Sequence, residues 1–373
     1  MIQARFPVAT ILCAALAAAP AARGQTIHFT SVPDGYTTGS IALPRPFGGA
    51  LGRNPADETS IYASIGVFGD MNLARIGLKS HSVRIVAAGP FGALAGIAAL
   101  SANQIVLIDN ASAPGGPPDD TILLATDANG DGDFNDGGEI VELIAPILTG
   151  ASWTGAQARV APPGNPSKIP SGSVLIQTAD GSGGAEILVL ANPLTAPAFR
   201  PPGSAYFTGF DYNGGFDFDS RGRLIMGTLE GTGFTGQVFA LVNTNADEDI
   251  DPGESNRVAA GENGMADLVV DAEDDVFFAG ADSSFVASVR TFDVPDDPLT
   301  QTADPVNFAT TDAGFLSAIL LSPRTRPFEP RSGPNSAALI VSGWTAGFEP
   351  ARNLLILRPE GGPAAASHWR RYE

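Results

Sequence analysis

Gly215-Phe216-Asp217-Phe218-Asp219, then Ser220-Arg221-Gly222, then Arg223-Leu224-Ile225-Met226-Gly227 is the stretch on which the fold turns. Two apolar-rich runs flank a short polar turn containing glycine, the signature of a β-hairpin. A Gly/Thr turn follows, then Gln237-Val238-Phe239-Ala240-Leu241-Val242, an acidic loop, and Asn256-Arg257-Val258-Ala259-Ala260. The segment from Gly214 to about Gly261 therefore reads as four strands joined by hairpins.

The same order recurs outward from it. Met265–Asp271, a turn, Val276–Gly280, Phe285–Phe292 and Pro305–Thr310 make a second copy. Ala95–Ser101, Gln104–Asn110, Thr121–Thr126, an acidic loop and Glu139–Ile144 make a third. Fainter copies begin near Gly48, Gln157 and Ser317, so six units of about 47–61 residues fill the chain. Helical periodicity is nearly absent. A period of this length built from four antiparallel strands predicts an all-β chain folded as a β-propeller of six four-stranded blades, with seven blades as the alternative count. A β-sandwich pair or a β-solenoid is the competing architecture. The last unit shows no fourth strand after Asn353–Pro359; Thr26–Val32 is the expected donor, closing the ring and hiding its sheet edges.

Residues 1–24 read as a secretory leader: Arg5 supplies the positive start, Phe6–Ala19 the apolar run, and Ala22-Arg23-Gly24 the small-residue cleavage site. Residues 25–373 are then one propeller domain, secreted or periplasmic, with no segment long enough for an apolar membrane helix. Cys13, the sole cysteine, lies in the leader, which excludes disulfides and thiol catalysis from the rest. Without Arg5 and Arg23, 19 basic residues face 40 acids, a net charge of −21. Such a surface repels nucleic acid and anionic lipid and attracts cations. The 44 glycines and 30 prolines mark a turn-rich chain, and 44% hydrophobic content argues against disorder.

The acidic loops share one design. The first places Asp127, Asn129, Asp131, Asp133, Asp136 and Glu139 in a single curl, with Phe134 among them. The second places Asn243, Asn245, Asp247, Asp249 and Glu254 likewise, with Ile250 in the place of Phe134. Oxygen side chains at alternate positions closed by a glutamate suit Ca²⁺, which takes roughly 6–8 hard oxygen ligands. In the second loop the glutamate falls at position 12 and Ile250 at position 8, as in an EF-hand loop. Glu139 comes one residue late, and Glu248 stands where the first loop has Gly132. The flanks are β-like, so the loops resemble the calcium-binding strand connectors of secreted bacterial propellers. Both are expected between the third and fourth strands of a blade, at the periphery, where the ion is structural.

Other motifs carry less. His28, His81 and His368 are far apart with no ligand spacing, which argues against a zinc or copper centre. Gly231-Thr232-Gly233-Phe234-Thr235-Gly236 matches the dinucleotide fingerprint in letters but opens a strand, so it reads as a hairpin turn. Asp217 and Asp219 alternate on an innermost strand, where one could face the central channel and do acid–base work. Trp153, Trp344 and Trp369 with Tyr206 and Tyr212 could stack on sugar rings or pack between blades. The blade pattern resembles the six-bladed NHL and SMP-30-like propellers. That resemblance implies either a module binding carbohydrate, a small molecule or protein, or a calcium-dependent hydrolase of the lactonase or phosphoesterase kind, or a polysaccharide-active enzyme, with its site in the channel. It assigns no catalytic residue.

Overall fold

A computed structural model describes residues 26–360, apart from 58, 111–120, 145–153, 164, 166–168, 180–183, 201–204, 231–234, 246, 272, 282–283, 285, 323–337 and 348. The leader, Trp153, His368 and Trp369 lie outside the described residues. Among those described, all regular structure is strand. After β1 (Phe29–Ser31) and β2 (Tyr36–Ala42), the first antiparallel unit comprises β3 (Phe47–Arg53), β4 (Ser60–Val67), β5 (Asp70–Gly77) and β6 (Val83–Phe91). The second comprises β7 (Leu94–Ser101), β8 (Gln104–Asp109), β9 (Thr121–Thr126) and β10 (Ile140–Ile144). The third comprises β11 (Thr154–Val160), β12 (Val174–Ala179), β13 (Ala185–Ala191) and β14 (Ala198–Arg200), with β15 (Phe207–Phe210) also paired to β13. The fourth begins with β16 (Tyr212–Phe218), β17 (Leu224–Glu230) and β18 (Thr235–Leu241). Its last strand is the first part of β19 (Ser255–Val270), whose second part opens the fifth unit. There β20 (Asp275–Ala281), β21 (Ala287–Asp293) and β22 (Val306–Thr311) follow. The sixth comprises β23 (Ala313–Ser322), β24 (Ala338–Thr345), β25 (Asn353–Pro359) and β2.

The first strands of successive units adjoin one another in a ring: β3, β7, β11, β16, the end of β19, β23, and back to β3. Six apolar clusters lie between neighbouring units. The cluster between the sixth and first units, for example, joins Ile340, Leu354 and Ile356 to Ile61, Ala63 and Ile65. Each sheet is therefore covered on both faces, and second strands such as β4, β8, β17, β20 and β24 are largely buried without alternation, as strands sandwiched between layers must be. Every residue of β20 is buried, and so are the first seven of β4. Close approach of the inner strands requires glycine: Gly215 has φ +86°, and a Cβ there would lie 2.3 Å from the Leu268 nitrogen.

The propeller and its closure by an N-terminal strand match the expectation, but the closing strand is a different one. Tyr36–Ala42 pairs with β25 over seven residues, from Tyr36 opposite Pro359 to Ala42 opposite Asn353. Phe29–Ser31 instead adds a fifth strand to the fifth unit, beside β22. The segment expected to close the ring is held one blade earlier. Ile27 is buried there, and Asn353 clamps its backbone: the Ile27 N–H donates to Asn353 Oδ1 at 3.0 Å, and Asn353 Nδ2 donates to the Ile27 carbonyl at 2.9 Å.

Candidate metal-binding loops and the central channel

Both acidic loops connect a unit's third strand to its fourth: β9 to β10, and β18 to β19. In an antiparallel blade this connection shares one end of the ring with the link between the first and second strands. Each loop also leans onto the preceding unit. The Phe134 N–H donates to the Val86 carbonyl of β6 at 2.6 Å, and the Ile250 N–H to the Tyr206 carbonyl of the third unit at 2.9 Å. Phe134 is buried among Tyr62, Leu73 and Val86, and Ile250 packs against the cluster that holds Tyr206 and Phe210. The residue at position 8 thus anchors both loops across a blade junction.

In the first loop Asn129 Nδ2 lies between two carboxylates, donating to Asp131 Oδ2 at 3.2 Å and to Asp136 Oδ2. In the second, Asn245 Nδ2 does the same between Asp247 at 2.7 Å and Asp251 at 2.9 Å. Asp136 and Asp251 are therefore equivalent, each three residues before the closing glutamate, and the extra residue of the first loop falls between Phe134 and Asp136. Asp251 escaped the sequence reading because register was counted from the loop start; the shared Asp-x-x-Glu ending is the signal that finds it.

The closing glutamates hold the loop backbone. Glu139 accepts from the Ala128 N–H at 2.9 Å and the Asp136 N–H at 3.1 Å. Glu254 accepts from the N–H groups of Thr244, Asn245 and Asp251 and from the Thr244 hydroxyl. Burial alone would raise the Glu254 carboxyl; the hydrogen bonds from Thr244, Asp251 and Asn245 outweigh it and hold the group below its ordinary range. Asp127 folds back onto the Gly130 and Gly132 N–H groups, Asn243 Nδ2 donates to the Asp247 carbonyl, and Asp133 turns outward to Arg84 of β6 at 2.7 Å. Partial burial and the charges of Asp247, Asp251 and Glu254 push Asp249 upward.

Among the described residues no three Asp, Glu, His or Cys side chains form a metal cluster as they stand. The donor set nonetheless suits a hard cation. Two carboxylates in each loop converge on an amide nitrogen, and a divalent ion there would offset the mutual repulsion of the loop's acids. A cation there would draw on Asn129, Asp131 and Asp136 in one loop and Asn245, Asp247 and Asp251 in the other, whereas Asp127, Glu139 and Glu254, also expected as ligands, are engaged by backbone N–H groups and Asp133 by Arg84.

The channel is built differently. Arg53 on β3 donates to Asp217 on β16 at 2.7 Å, and its Nε reaches the Leu321 carbonyl of β23 at 3.3 Å. Asp217 also accepts from the Phe218 N–H. Arg159 on β11 donates to Asp267 on β19 at 3.2 Å, and Asp267 accepts the Ile319 N–H of β23 at 3.0 Å. Burial pushes the Asp267 carboxyl up to about 6 even against the pull of Arg159. Beside this pair a cavity of about 10 Å³, lined by Gln157, Arg159 and Asp267, has room for a single water. Asp219 does not face the channel; it caps its own turn, accepting from the Arg221 and Arg223 N–H groups and pairing with the Arg223 side chain. Nor do the histidines in view converge: His28 pairs with Asp312 at 3.0 Å, while His81 sits in a turn with φ 55°.

No protein-family description and no curated protein matches this chain in sequence. Solved structures do match in shape. The calcium-binding protein regucalcin from Agrobacterium tumefaciens is 13% identical, with a TM-score of 0.54 over 86% of this chain and 92% of its own. A luciferin-regenerating enzyme is 10% identical, with a TM-score of 0.56 over 88% and 97%. A glucose dehydrogenase is 11% identical, with a TM-score of 0.54 over 86% and 99%. At such identities the likeness is one of fold, and the fold is a β-propeller.

Proposed function

We propose that this protein is an extracytoplasmic β-propeller stiffened by calcium at its two peripheral loops and serving as a binding or surface-interaction module. The observation that carries the reading is the recurrence of one oxygen constellation on the same hairpin of two blades, each anchored across a blade junction by its position-8 residue. An ion in either loop would fix that hairpin against its neighbour. Loop affinities of the order of 10⁻⁴–10⁻³ M are usual for extracellular modules, and the reading of residues 1–24 as a leader supports that compartment. The hydrolase alternative needs carboxylates free to hold an ion in the channel, whereas Asp217 and Asp267 are each matched to an arginine.

Thermal unfolding of residues 25–373 with excess calcium and with chelator tests the calcium reading on wild type, Asp131→Ala and Asp247→Ala. Linkage predicts roughly 3–4 kcal/mol of stabilisation at 100–1,000 times the dissociation constant. Each substitution should remove part of it. Identical melting curves in calcium and chelator would end the reading. Calcium-dependent turnover of lactones or phosphoesters, abolished by Asp217→Asn or Asp267→Asn, would favour the hydrolase instead.

A further inference from the structure

The two blade junctions bridged by the acidic loops are built alike but filled differently. On the outermost strand of the first unit, Arg84 lies opposite Arg75, two residues before the end of β5. On the outermost strand of the third unit, Arg200 lies opposite Val189, two residues before the end of β13. The two arginines therefore hold the same place in their blades. Arg84 closes its junction by reaching Asp133 of the loop at 2.7 Å. A Cβ on Gly132 would come within 3.4 Å of the Arg84 guanidinium, so the glycine leaves room for that arm. In the second loop the corresponding residue is Glu248, a departure from the first loop that the calcium design does not explain. Arg200 forms no ion pair among the described residues, and a cavity of about 240 Å³ lies between the third unit and the loop. Ile169, Val189 and Ala191 line its apolar part, while Arg200, Asp247 and Glu248 bring charge.

We propose that this cavity binds a small zwitterion of amino-acid size. Arg200 would take the carboxylate in a forked, charge-assisted contact. Glu248 would take the ammonium group, and the Ile169–Val189–Ala191 surface a short apolar stem. The volume falls below the roughly 300–1,000 Å³ of drug-sized sites, which limits the occupant to a small molecule. Asp247 is engaged within the loop by Asn245, so Arg200 and Glu248 are the two opposed charges left to the ligand, and a singly charged ligand would leave one of them unmatched. The site names a ligand class for the binding-module reading, yet it does not require calcium in the loop.

The test is ligand-observed NMR of residues 25–373 with each of the twenty standard amino acids, run in excess calcium and again in chelator. Calorimetry then follows for any binder against its amine and acid analogues. At least one amino acid should bind in calcium, and each singly charged analogue should bind about ten-fold more weakly or worse. Arg200→Ala and Glu248→Gln should each weaken binding by a similar factor, while Arg84→Ala, at the filled junction, should leave it unchanged. No binding by any amino acid in either condition would overturn the proposal, as would binding indifferent to both Arg200→Ala and Glu248→Gln. The calcium reading fails separately, on the melting curves. Binding equal in calcium and chelator would sustain the pocket without the ion.

Discussion

Asp275 and Asp293 stand directly opposite each other at the ends of β20 and β21. Like charges in that arrangement are unfavourable. Burial first, then the hydrogen bond that Asp275 donates to Asp293 and the charges of Asp271, Asp293 and Asp274, push the Asp275 carboxyl up to about 9. Near neutral pH Asp275 therefore keeps its proton. The folded value is raised above the ordinary carboxylate value of about 3.9, so the stabilisation is complete below that pH and is lost as pH rises through about 9. Asp275→Asn should melt at a nearly constant temperature between pH 7 and pH 10, where wild type should fall. Parallel curves would show that the Asp275 carboxyl is not raised. This behaviour is invisible in the sequence, where nothing local brings Asp275 and Asp293 together. The cross-strand register that opposes them belongs to the sheet. The arginines of the channel teach the same lesson: nothing local marks Arg53 or Arg159 as the partner of Asp217 or Asp267.

At the scale of single elements, the hairpins were legible because their turns are local chemistry. Asp219 accepts the N–H groups two and four residues on, and Asp271 accepts those of Glu273 and Asp275 in the same way, so each hairpin turn is specified within five residues. The acidic loops were legible as candidate cation loops for a similar reason, since their ligand spacing lies within one curl. Their docking was not legible, because it depends on a carbonyl in another blade. Phe134→Ala should therefore cost about 3–5 kcal/mol in urea unfolding, with calcium or with chelator alike, since the loss is of buried volume at a junction. A cost near that of an ordinary surface substitution, within ~0.5 kcal/mol, would mean that the loop does not hold the first two units together. Ile250, less buried than Phe134, should show a smaller effect.

For the whole molecule, closure is the decisive step. Without β2, the edge of β25 would be an unpaired strand seven residues long. A chain starting at Pro33 loses β1 and the buried Ile27 but keeps the closing strand, and it should elute like residues 25–373 and melt at a lower temperature. A chain starting at Leu43 lacks β2 and should lose its cooperative transition or self-associate. Size-exclusion chromatography and circular dichroism melts distinguish these outcomes. A monomeric, cooperative chain from Leu43 would show that the ring stands without the seven-residue clasp of β2 against β25. The sequence by itself determined the strand content, the repeated four-strand order and the oxygen-rich loops, because turn preferences, apolar runs and ligand spacing act over a few residues. The tertiary structure alone decided that Tyr36–Ala42 closes the ring, that Arg84 but not Arg200 meets its acidic loop, and that the channel acids meet arginines 164 and 108 residues away in the chain. Those outcomes depend on which strands become neighbours, and pairing between distant segments is set by burial of both sheet faces around the closed ring, which no short stretch of the chain encodes.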